Sequence, residues 1–251
     1  MGHEYSTRFF DYIETGARAS AQRFIRELQS QLPISSVLDV GCGRGAWLDE
    51  WQVAGVAGIA GVDGAYVDTD TLRIPAEAFH AADLTGPVDL GRRFDLVQCL
   101  EVGEHLPPGA APRLVDNLTA HGDCVLFSAA QPGQGGEFHV NEQPLEHWRA
   151  LFKTKGYAAH DFLRPRVAND RSVEPWYRYN AVLYLNEAGI ARASEDIRAS
   201  RVADMTPLPA CGDLRWRLRR RLVRLLPVPA VTWLAQTNAK LKTRQAHDAK
   251  D

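Results

Sequence analysis

Acidic and histidine side chains are concentrated in two short segments of this 251-residue sequence. The first reads Glu101-Val-Gly-Glu104-His105, and the second, residues 137–142, contains His139. If the first segment is helical, its two glutamates and its histidine share one face, because they stand at positions i, i+3 and i+4. Converging carboxylates repel each other unless a cation joins them. We therefore expect Glu101, Glu104, His105 and His139 to bind a divalent metal ion.

The same side chains could also catalyse a reaction without a metal. A metal ion acidifies and orients a bound hydroxyl. In its absence, His139 or His105 can serve as general base, because an imidazole titrates near neutral pH. Both interpretations make oxygen the expected acceptor atom. The candidate catalytic residues are His139, His105 and Glu104.

A second chemical feature is a glycine turn that follows a short apolar strand, in residues 36–47, Ser-Val-Leu-Asp-Val-Gly-Cys-Gly-Arg-Gly-Ala-Trp. Gly41 and Gly43 allow the backbone to turn sharply and to approach a ligand closely. Their spacing to Ala46 also fits the loose dinucleotide fingerprint. However, Asp39 precedes the first glycine, where it would repel a pyrophosphate and attract a cationic ligand. The turn therefore favours a cationic cofactor over a nicotinamide dinucleotide.

In residues 36–47, and in Phe94-Asp95-Leu96-Val97 leading to Glu101, the sequence resembles class I S-adenosylmethionine-dependent methyltransferases. The resemblance extends over about residues 34–186 and implies S-adenosylmethionine as the cofactor.

The cofactor-binding residues expected on this basis come from several predicted elements. Asp63 ends the second predicted strand, about where an acid accepts hydrogen bonds from both ribose hydroxyls. The resemblance implies that Asp83 meets the adenine amino group. Arg18, on a leading helix, would reach the methionine carboxylate. The full expected set is Asp39, Gly41, Gly43, Asp63, Asp83 and Arg18.

The Glu-x-x-Glu-His motif is similar to that of two metal-dependent groups, the small-RNA 3′-end 2′-O-methyltransferases and the ubiquinone-pathway O-methyltransferases. This similarity implies Mg²⁺ or Mn²⁺ at Glu101, Glu104, His105 and His139. Mixed oxygen and imidazole ligands favour Mn²⁺ or Fe²⁺ over Ca²⁺. The segment from Phe127 to Gln143, together with residues 176–180, also resembles an uncharacterised bacterial methyltransferase group associated with glycans or secondary metabolites.

Strand and helix patterns alternate along the chain, which predicts an α/β fold. We expect a doubly wound, Rossmann-like methyltransferase sheet of about seven strands. The expected organisation is an N-terminal cap helix in residues 1–33, a methyltransferase domain in residues 34–187 and a helical basic C-terminal extension in residues 188–251. The predicted strands are Val37–Val40, Ile59–Val62, Phe79–Ala82, Phe94–Cys99, Asp123–Ser128, Phe162–Val167 and Ala181–Leu185.

Charge is distributed unevenly along the chain. Residues 213–251 carry seven Arg, three Lys and three Asp, a net charge of +7, so the first 212 residues carry −9 of the total of −2. An acidic body argues against a broad nucleic-acid surface there. In the predicted helix Leu214–Leu226 leucines occupy one side and arginines much of the rest. This helix could pack on its own domain or a partner, lie on an anionic membrane with the help of Trp216 and Trp233, or bind nucleic acid.

Taken together, the sequence predicts an S-adenosylmethionine-dependent O-methyltransferase acting on a hydroxyl of a sugar, glycan or related small molecule. Two alternatives remain open: an RNA 2′-O-methyltransferase that uses the basic tail, and a non-catalytic cofactor-binding accessory protein. The sequence has no apolar run of membrane-spanning length, and its N-terminus lacks signal-peptide features, so we expect a cytoplasmic protein that could lie peripherally at the inner membrane face.

Overall fold

A computed structural model of the protein describes residues 7–227, 230–232 and 237. The described residues form a seven-stranded sheet with the order β3-β2-β1-β4-β5-β7-β6. Neighbouring strands are parallel except that β7 is antiparallel to both β5 and β6. The strands are β1 (Ser36–Val40), β2 (Gly58–Asp63), β3 (Phe79–Ala81), β4 (Leu96–Leu100), β5 (Cys124–Ser128), β6 (Ala158–His160) and β7 (Val182–Leu185).

Helices cover both faces of the sheet, and the predicted doubly wound fold is confirmed. The described helices are α1 (Thr7–Gln29), α2 (Ala46–Val53), α3 (Ala111–His121), α4 (Leu145–Thr154), α5 (Leu163–Val167), α6 (Pro175–Asn180), α7 (Glu187–Arg192), α8 (Glu195–Ala199) and α9 (Leu214–Val223). In the described part of the chain, short 3₁₀ turns lie at Thr69–Thr71, Ala76–Ala78, Gly103–His105 and Pro108–Ala110.

Adjacent residues of the strands belong to two separate apolar clusters, because successive side chains of a strand point to opposite faces. Val37 of β1 joins the cluster that contains residues of α1 and α2. Its neighbour Leu38 joins the cluster that contains residues of α3 and α4. A sheet that is buried on both faces requires strands that are apolar at nearly every position, which explains the continuous apolar runs in the sequence.

The prediction of a strand at Phe162–Val167 is wrong. Residues Leu163–Val167 form helix α5, and the strand of this region is β6, at Ala158–His160. Pro165 explains the difference, because proline cannot donate a hydrogen bond within a sheet. In the first turn of a helix its missing N–H costs little, since amides there have no intrahelical partner.

The chain that follows α8 returns to the sheet domain. Arg149 of α4 donates to the carbonyl oxygens of Val202, Ala203 and Thr206 at 2.6–3.0 Å. Leu208 is buried in the same region. This segment leads directly to α9. Among the described residues, no helix is long and apolar enough to span a bilayer.

Candidate active site

The topology places the candidate site at the carboxyl ends of β1 and β4. These strands are neighbours, and the chain proceeds from β1 towards β2 on one side and from β4 towards β5 on the other. Such a reversal of strand order opens a crevice that binds ligands in doubly wound folds. Asp39 lies in β1, Asp63 ends β2, and Glu101 follows β4 directly.

The turn after β1 is shaped to face a ligand. Gly41, Gly43 and Gly45 have φ values of 84°, 53° and 85°, a region that disfavours residues with a side chain. A Cβ on Gly41 would overlap the side chain of Val102, whereas a Cβ on Gly43 would meet no atom within 4 Å. The turn therefore leaves open space beside Gly43, immediately before the start of α2.

Asp39 supplies negative charge beneath this turn. Its side chain is buried, and burial raises the pKa of Asp39 to about 7, with the nearby carboxylate of Asp63 acting in the same direction. A buried acid with no cationic partner is costly when ionised. A positively charged ligand in the crevice would offset that cost, so the donor set fits a sulfonium and ammonium cofactor.

Asp63 is already engaged with the backbone of the turn. One carboxylate oxygen accepts a hydrogen bond from the amide of Gly43 at 2.6 Å. The other accepts from the amide of Gly64, at 2.7 Å, and from the hydroxyl of Tyr66. These contacts fix the carboxylate at the end of β2, at the edge of the sheet where the glycine turn lies.

Asp83 and Arg18 have partners within the chain. Asp83 is exposed two residues after β3 and accepts hydrogen bonds from the amide and hydroxyl of Thr85. The sequence assigns Arg18 to a ligand carboxylate, but the structure pairs it with Asp49 and Glu50 of α2. Both ends of the guanidinium are thus occupied, and Arg18 joins α1 to α2.

A different residue brings α1 against the glycine turn. Glu14 of α1 is buried and pairs with Arg44, which lies between Gly43 and Gly45. The other carboxylate oxygen of Glu14 contacts Arg73 at 3.1 Å. Sequence reasoning missed this cluster, because the three residues are far apart in the chain and form no local motif.

The segment after β4 differs from the predicted helix. Only Gly103–His105 form a 3₁₀ turn, and Glu101 precedes it with a left-handed backbone, at φ 57°. The interpretation that Glu101, Glu104 and His105 share one helical face is therefore wrong. Gln134 donates to Glu101 at 2.6 Å, and Asn180 lies 3.4 Å from its other oxygen, so these amides hold the Glu101 carboxylate.

Glu104 is fully buried, and neither of its carboxylate oxygens has a hydrogen-bond partner among the described residues. Burial, reinforced by the nearby Glu101, raises the pKa of Glu104 well above its ordinary value. Buried carboxylates normally have hydrogen-bond donors or cations as partners. Two buried oxygens without a donor make Glu104 a candidate ligand for a cation.

Two histidines complete a compact ligand group with Glu104. One potential metal-binding atom of each of Glu104, His105 and His139 lies within 4.8 Å of the other two. The two imidazole rings meet edge to face, with centroids 4.9 Å apart. One edge of the His105 ring is exposed. Removal of water from the rest of the imidazole, together with the adjacent His139, lowers the pKa of His105 to about 4. A neutral imidazole is the form that binds a metal. Glu101 lies outside this group of three.

The orientation of His139 is fixed by Glu142. Nδ1 of His139 lies 2.9 Å from one oxygen of Glu142, which also accepts from the amide of Gly135, and the second oxygen accepts from the amide of Gly133. Although burial opposes the charge, the hydrogen bonds from His139, Gly135 and Gly133 keep the pKa of Glu142 below its ordinary value. Such a partner holds the proton on Nδ1 and leaves Nε2 available as a base or a ligand.

An amide network connects the glycine loop, defined here as residues 132–136, to Glu101. Asn180 donates to Gln134 at 2.7 Å and accepts from Gln131 at 2.9 Å. Gln134 in turn holds Glu101. Sequence reasoning did not assign roles to these amides. The only local signal was their placement in residues 127–143, which follow β5, and in residues 176–180, which precede β7.

The sheet order and the glycine turn beside an acid define a class I methyltransferase fold. A family model described as a methyltransferase domain matches residues 7–182. The chain belongs to this family and is an S-adenosylmethionine-dependent methyltransferase.

Similar proteins with known descriptions include ubiquinone biosynthesis O-methyltransferases. The protein of Neisseria meningitidis serogroup C (strain 053442) is 29% identical over 147 residues, which are 55% of this chain and 56% of the relative. The protein of Bordetella parapertussis (strain 12822 / ATCC BAA-587 / NCTC 13253) is 32% identical over 120 residues, 42% of this chain and 46% of the relative. The matched part of this chain thus spans about half of these relatives.

Solved structures show the same fold at low sequence identity. A sugar N-methyltransferase from Streptoalloteichus sp ATCC 53650 is 18% identical, with a TM-score of 0.57, covering 74% of this chain and 95% of that structure. The magnesium protoporphyrin IX methyltransferase of Synechocystis PCC 6803, with bound S-adenosylmethionine, is 18% identical, with a TM-score of 0.52. The match covers 74% of this chain and 87% of that structure.

Proposed function

We propose that this methyltransferase transfers the methyl group to a hydroxyl oxygen of a sugar, glycan or related small molecule. The observation that carries the proposal is His139, oriented by Glu142 and grouped with Glu104 and His105 at the sheet edge that bears Asp39 and Asp63. A hydroxyl must lose a proton during methyl transfer, and an oriented imidazole can accept it. The similar proteins of Neisseria meningitidis and Bordetella parapertussis are O-methyltransferases, which supports oxygen as the acceptor.

Asp39, Asp63 and the glycine turn would bind the cofactor. S-adenosylmethionine supplies a methyl group on a positively charged sulfur. Ionised Asp39 stabilises this positive charge from below the turn. The open space at Gly43 would admit the ligand. Asp63 would accept hydrogen bonds from the ribose hydroxyls.

His139 would act as general base. Glu142 keeps its proton on Nδ1, so Nε2 accepts the proton of the acceptor hydroxyl as the oxygen forms its bond to the methyl carbon. The bond between that carbon and sulfur breaks, and the sulfur keeps the electron pair. Alignment of the acceptor behind the methyl group can supply ~7–11 kcal/mol of the barrier.

Glu104, His105 and His139 would hold Mn²⁺ or Mg²⁺ if a metal participates. The fit rests on the two unpartnered oxygens of the buried Glu104 and on the compact grouping of the three side chains. A divalent ion there would orient the acceptor oxygen and lower the pKa of its proton. In that state Glu142 would set the ring orientation of His139, as a carboxylate partner does for many metal-bound histidines.

The test is the product formed by the purified full-length chain with isotopically labelled S-adenosylmethionine. The acceptor panel contains sugar hydroxyls, phenolic hydroxyls and sugar amines, and mass spectrometry with NMR assigns the methylated atom. We expect O-methyl products. A product methylated only on nitrogen or carbon contradicts the proposal.

One variant and its matched control separate catalysis from cofactor binding. His139→Ala should retain affinity for S-adenosylhomocysteine and lose turnover by at least about 100-fold, the range of general-base contributions. His80→Ala is the matched control, because His80 is an exposed histidine of β3 outside the ligand group. If His139→Ala turns over as fast as the control, His139 is not the base.

A further inference from the structure

Helix α9 is docked on the protein through its tryptophan and part of its arginines, not through its leucines. Trp216 is buried, with its ring centroid 5.6 Å from that of Tyr179. Arg219 donates to the carbonyl oxygen of Gln134 at 2.6 Å, and Arg220 and Arg224 donate to that of Pro132 at 2.9–3.3 Å. The inward face of this helix thus contacts the glycine loop of the candidate site.

The leucines lie on the opposite face. Leu214, Leu218, Leu222 and Leu225 are 80%, 55%, 57% and 81% exposed. Their spacing of three or four residues forms one continuous stripe along a helix. A single exposed leucine is ordinary. Four aligned leucines on α9 and the turn that follows it form an apolar surface that usually has a binding partner.

Positive charge flanks this leucine stripe. Residues 214–226 contain six arginines and no acidic residue. Within the described part of the chain, no ion pair joins any of the six to a carboxylate, and Arg215 and Arg221 make no hydrogen bond through their side chains. If a second copy of α9 packed on the stripe, the arginines of the two helices would come together and repel each other. Nucleic acid would pair with the arginines but leave the leucines in water.

The described residues that follow α9 turn towards the loop of residues 132–136. Ala230 and Val231 donate to the carbonyl oxygen of Pro227, which forms a turn. Val231 then lies beside Gly135. Ala230 and Val231 therefore lie on the docked side of the helix, and none of the described residues covers the leucine stripe.

We propose that the outward face of α9 docks on the surface of an anionic lipid bilayer. The leucines enter the boundary between headgroups and acyl chains, and Arg215, Arg217 and Arg221 meet the phosphates, the arrangement typical of interfacial helices. Trp216 does not take part, contrary to the interpretation of the sequence, because it faces inward; Trp233 lies outside the described residues. The docked bilayer would lie next to the glycine loop of residues 132–136. This proposal rests on α9 alone and does not depend on the identity of the acceptor.

The test is cosedimentation of the full-length chain with vesicles of phosphatidylglycerol and phosphatidylcholine, with pure phosphatidylcholine vesicles for comparison. We expect binding to the anionic vesicles that weakens as salt is raised. Leu218→Gln/Leu222→Gln should lower the partition coefficient at least about tenfold, because two apolar side chains no longer enter the lipid. The matched control is Val53→Gln/Met205→Gln, which removes two apolar side chains that are 77% and 94% exposed elsewhere.

Folding of each variant is checked by circular dichroism and by the thermal shift with S-adenosylhomocysteine. Three results would overturn the proposal. The first is a wild-type chain that does not bind anionic vesicles at low salt. The second is a Leu218→Gln/Leu222→Gln variant that binds as tightly as wild type. The third is a wild-type dimer, seen by gel filtration, that this double variant converts to monomer. The last result would make a second copy the occupant of the stripe. Failure of methyl transfer with every acceptor would leave these outcomes unaffected.

Discussion

Glu142 lies 2.9 Å from Nδ1 of His139, and the amides of Gly133 and Gly135 hold it there. One carboxylate therefore fixes both the histidine and the loop. Replacing it should affect catalysis more than stability, because the side chain is not part of either apolar cluster.

We predict that Glu142→Gln lowers kcat by about 10- to 100-fold, the usual effect of losing an orienting partner. Affinity for S-adenosylhomocysteine should stay within about twofold, since the cofactor residues lie at β1 and β2. The measurement is steady-state kinetics together with calorimetry of product binding, with Glu77→Gln as an exposed control. Equal kcat for the two variants would contradict the orienting role.

The pH dependence of cofactor binding should report Asp39. Because the pKa of Asp39 is about 7 in the ligand-free chain, about nine tenths of the molecules carry the neutral acid at pH 6. A cationic ligand requires the ionised form, so affinity for S-adenosylmethionine should be roughly tenfold weaker at pH 6 than at pH 8, with proton release on binding at pH 6. Calorimetry in two buffers of different ionisation enthalpy measures both quantities.

Asp39→Asn should bind more weakly and lose this pH dependence. It should also stabilise the ligand-free chain at pH 8, by about 1–2 kcal/mol in the free energy of unfolding, because a buried charge is removed. The raised pKa of Asp39 means that the native chain keeps a proton which the unfolded chain releases near pH 4. The contribution of Asp39 to the free energy of unfolding therefore falls as pH rises from about 4 to about 7. A destabilised variant, or one with unchanged pH dependence, would contradict this.

Metal binding should depend on Glu104 more than on Glu101. With Mn²⁺ at 100 times its dissociation constant, the wild-type chain should gain about 2.7 kcal/mol of stability, which chelation removes. Glu104→Gln should abolish this gain. Glu101→Gln should retain most of it, because Gln134 and Asn180 already hold the Glu101 carboxylate. Thermal denaturation with Mn²⁺, Mg²⁺ and a chelator measures the effect, and a Glu104→Gln variant that still responds to Mn²⁺ would exclude this site.

Undocking α9 should loosen the loop at the site. Trp216→Ala removes the buried contact with Tyr179, and we expect faster amide hydrogen exchange in residues 214–223 and also in residues 132–136, which α9 contacts through Arg219, Arg220 and Arg224. Leu218→Gln is the control, because Leu218 points outward. Unchanged exchange in residues 132–136 would show that the loop is stable without the helix.

The elements with strong local patterns were predictable. Val37, Leu38 and Val40 form an apolar run that is typical of a strand buried on both faces, and it leads directly into a glycine turn. Gly41 and Gly43 of this turn adopt positive φ values at little cost. These two features identify both the sheet and the cofactor crevice. The strand prediction for Phe162–Val167 failed because the few apolar residues of this segment fit a helix as well as a strand, and Pro165 disfavours a strand.

The details of the acceptor side depend on contacts between distant residues. Glu101 adopts a left-handed backbone, which no spacing rule predicts for glutamate, and its amide partners Gln134 and Asn180 come from other segments. Likewise, helical periodicity shows that leucines and arginines of α9 lie on different faces but not which face is docked. The usual assumption that the apolar face is buried is wrong for this helix.

The hydrogen bonds from Arg220 to Pro132 connect positions 88 residues apart in the sequence. The loop of residues 132–136, whose amides hold Glu142, is thus braced by a helix outside residues 7–182, the part of the chain that the family model matches. A tag or fusion that displaces α9 should therefore loosen the support of His139 without touching the reacting atoms.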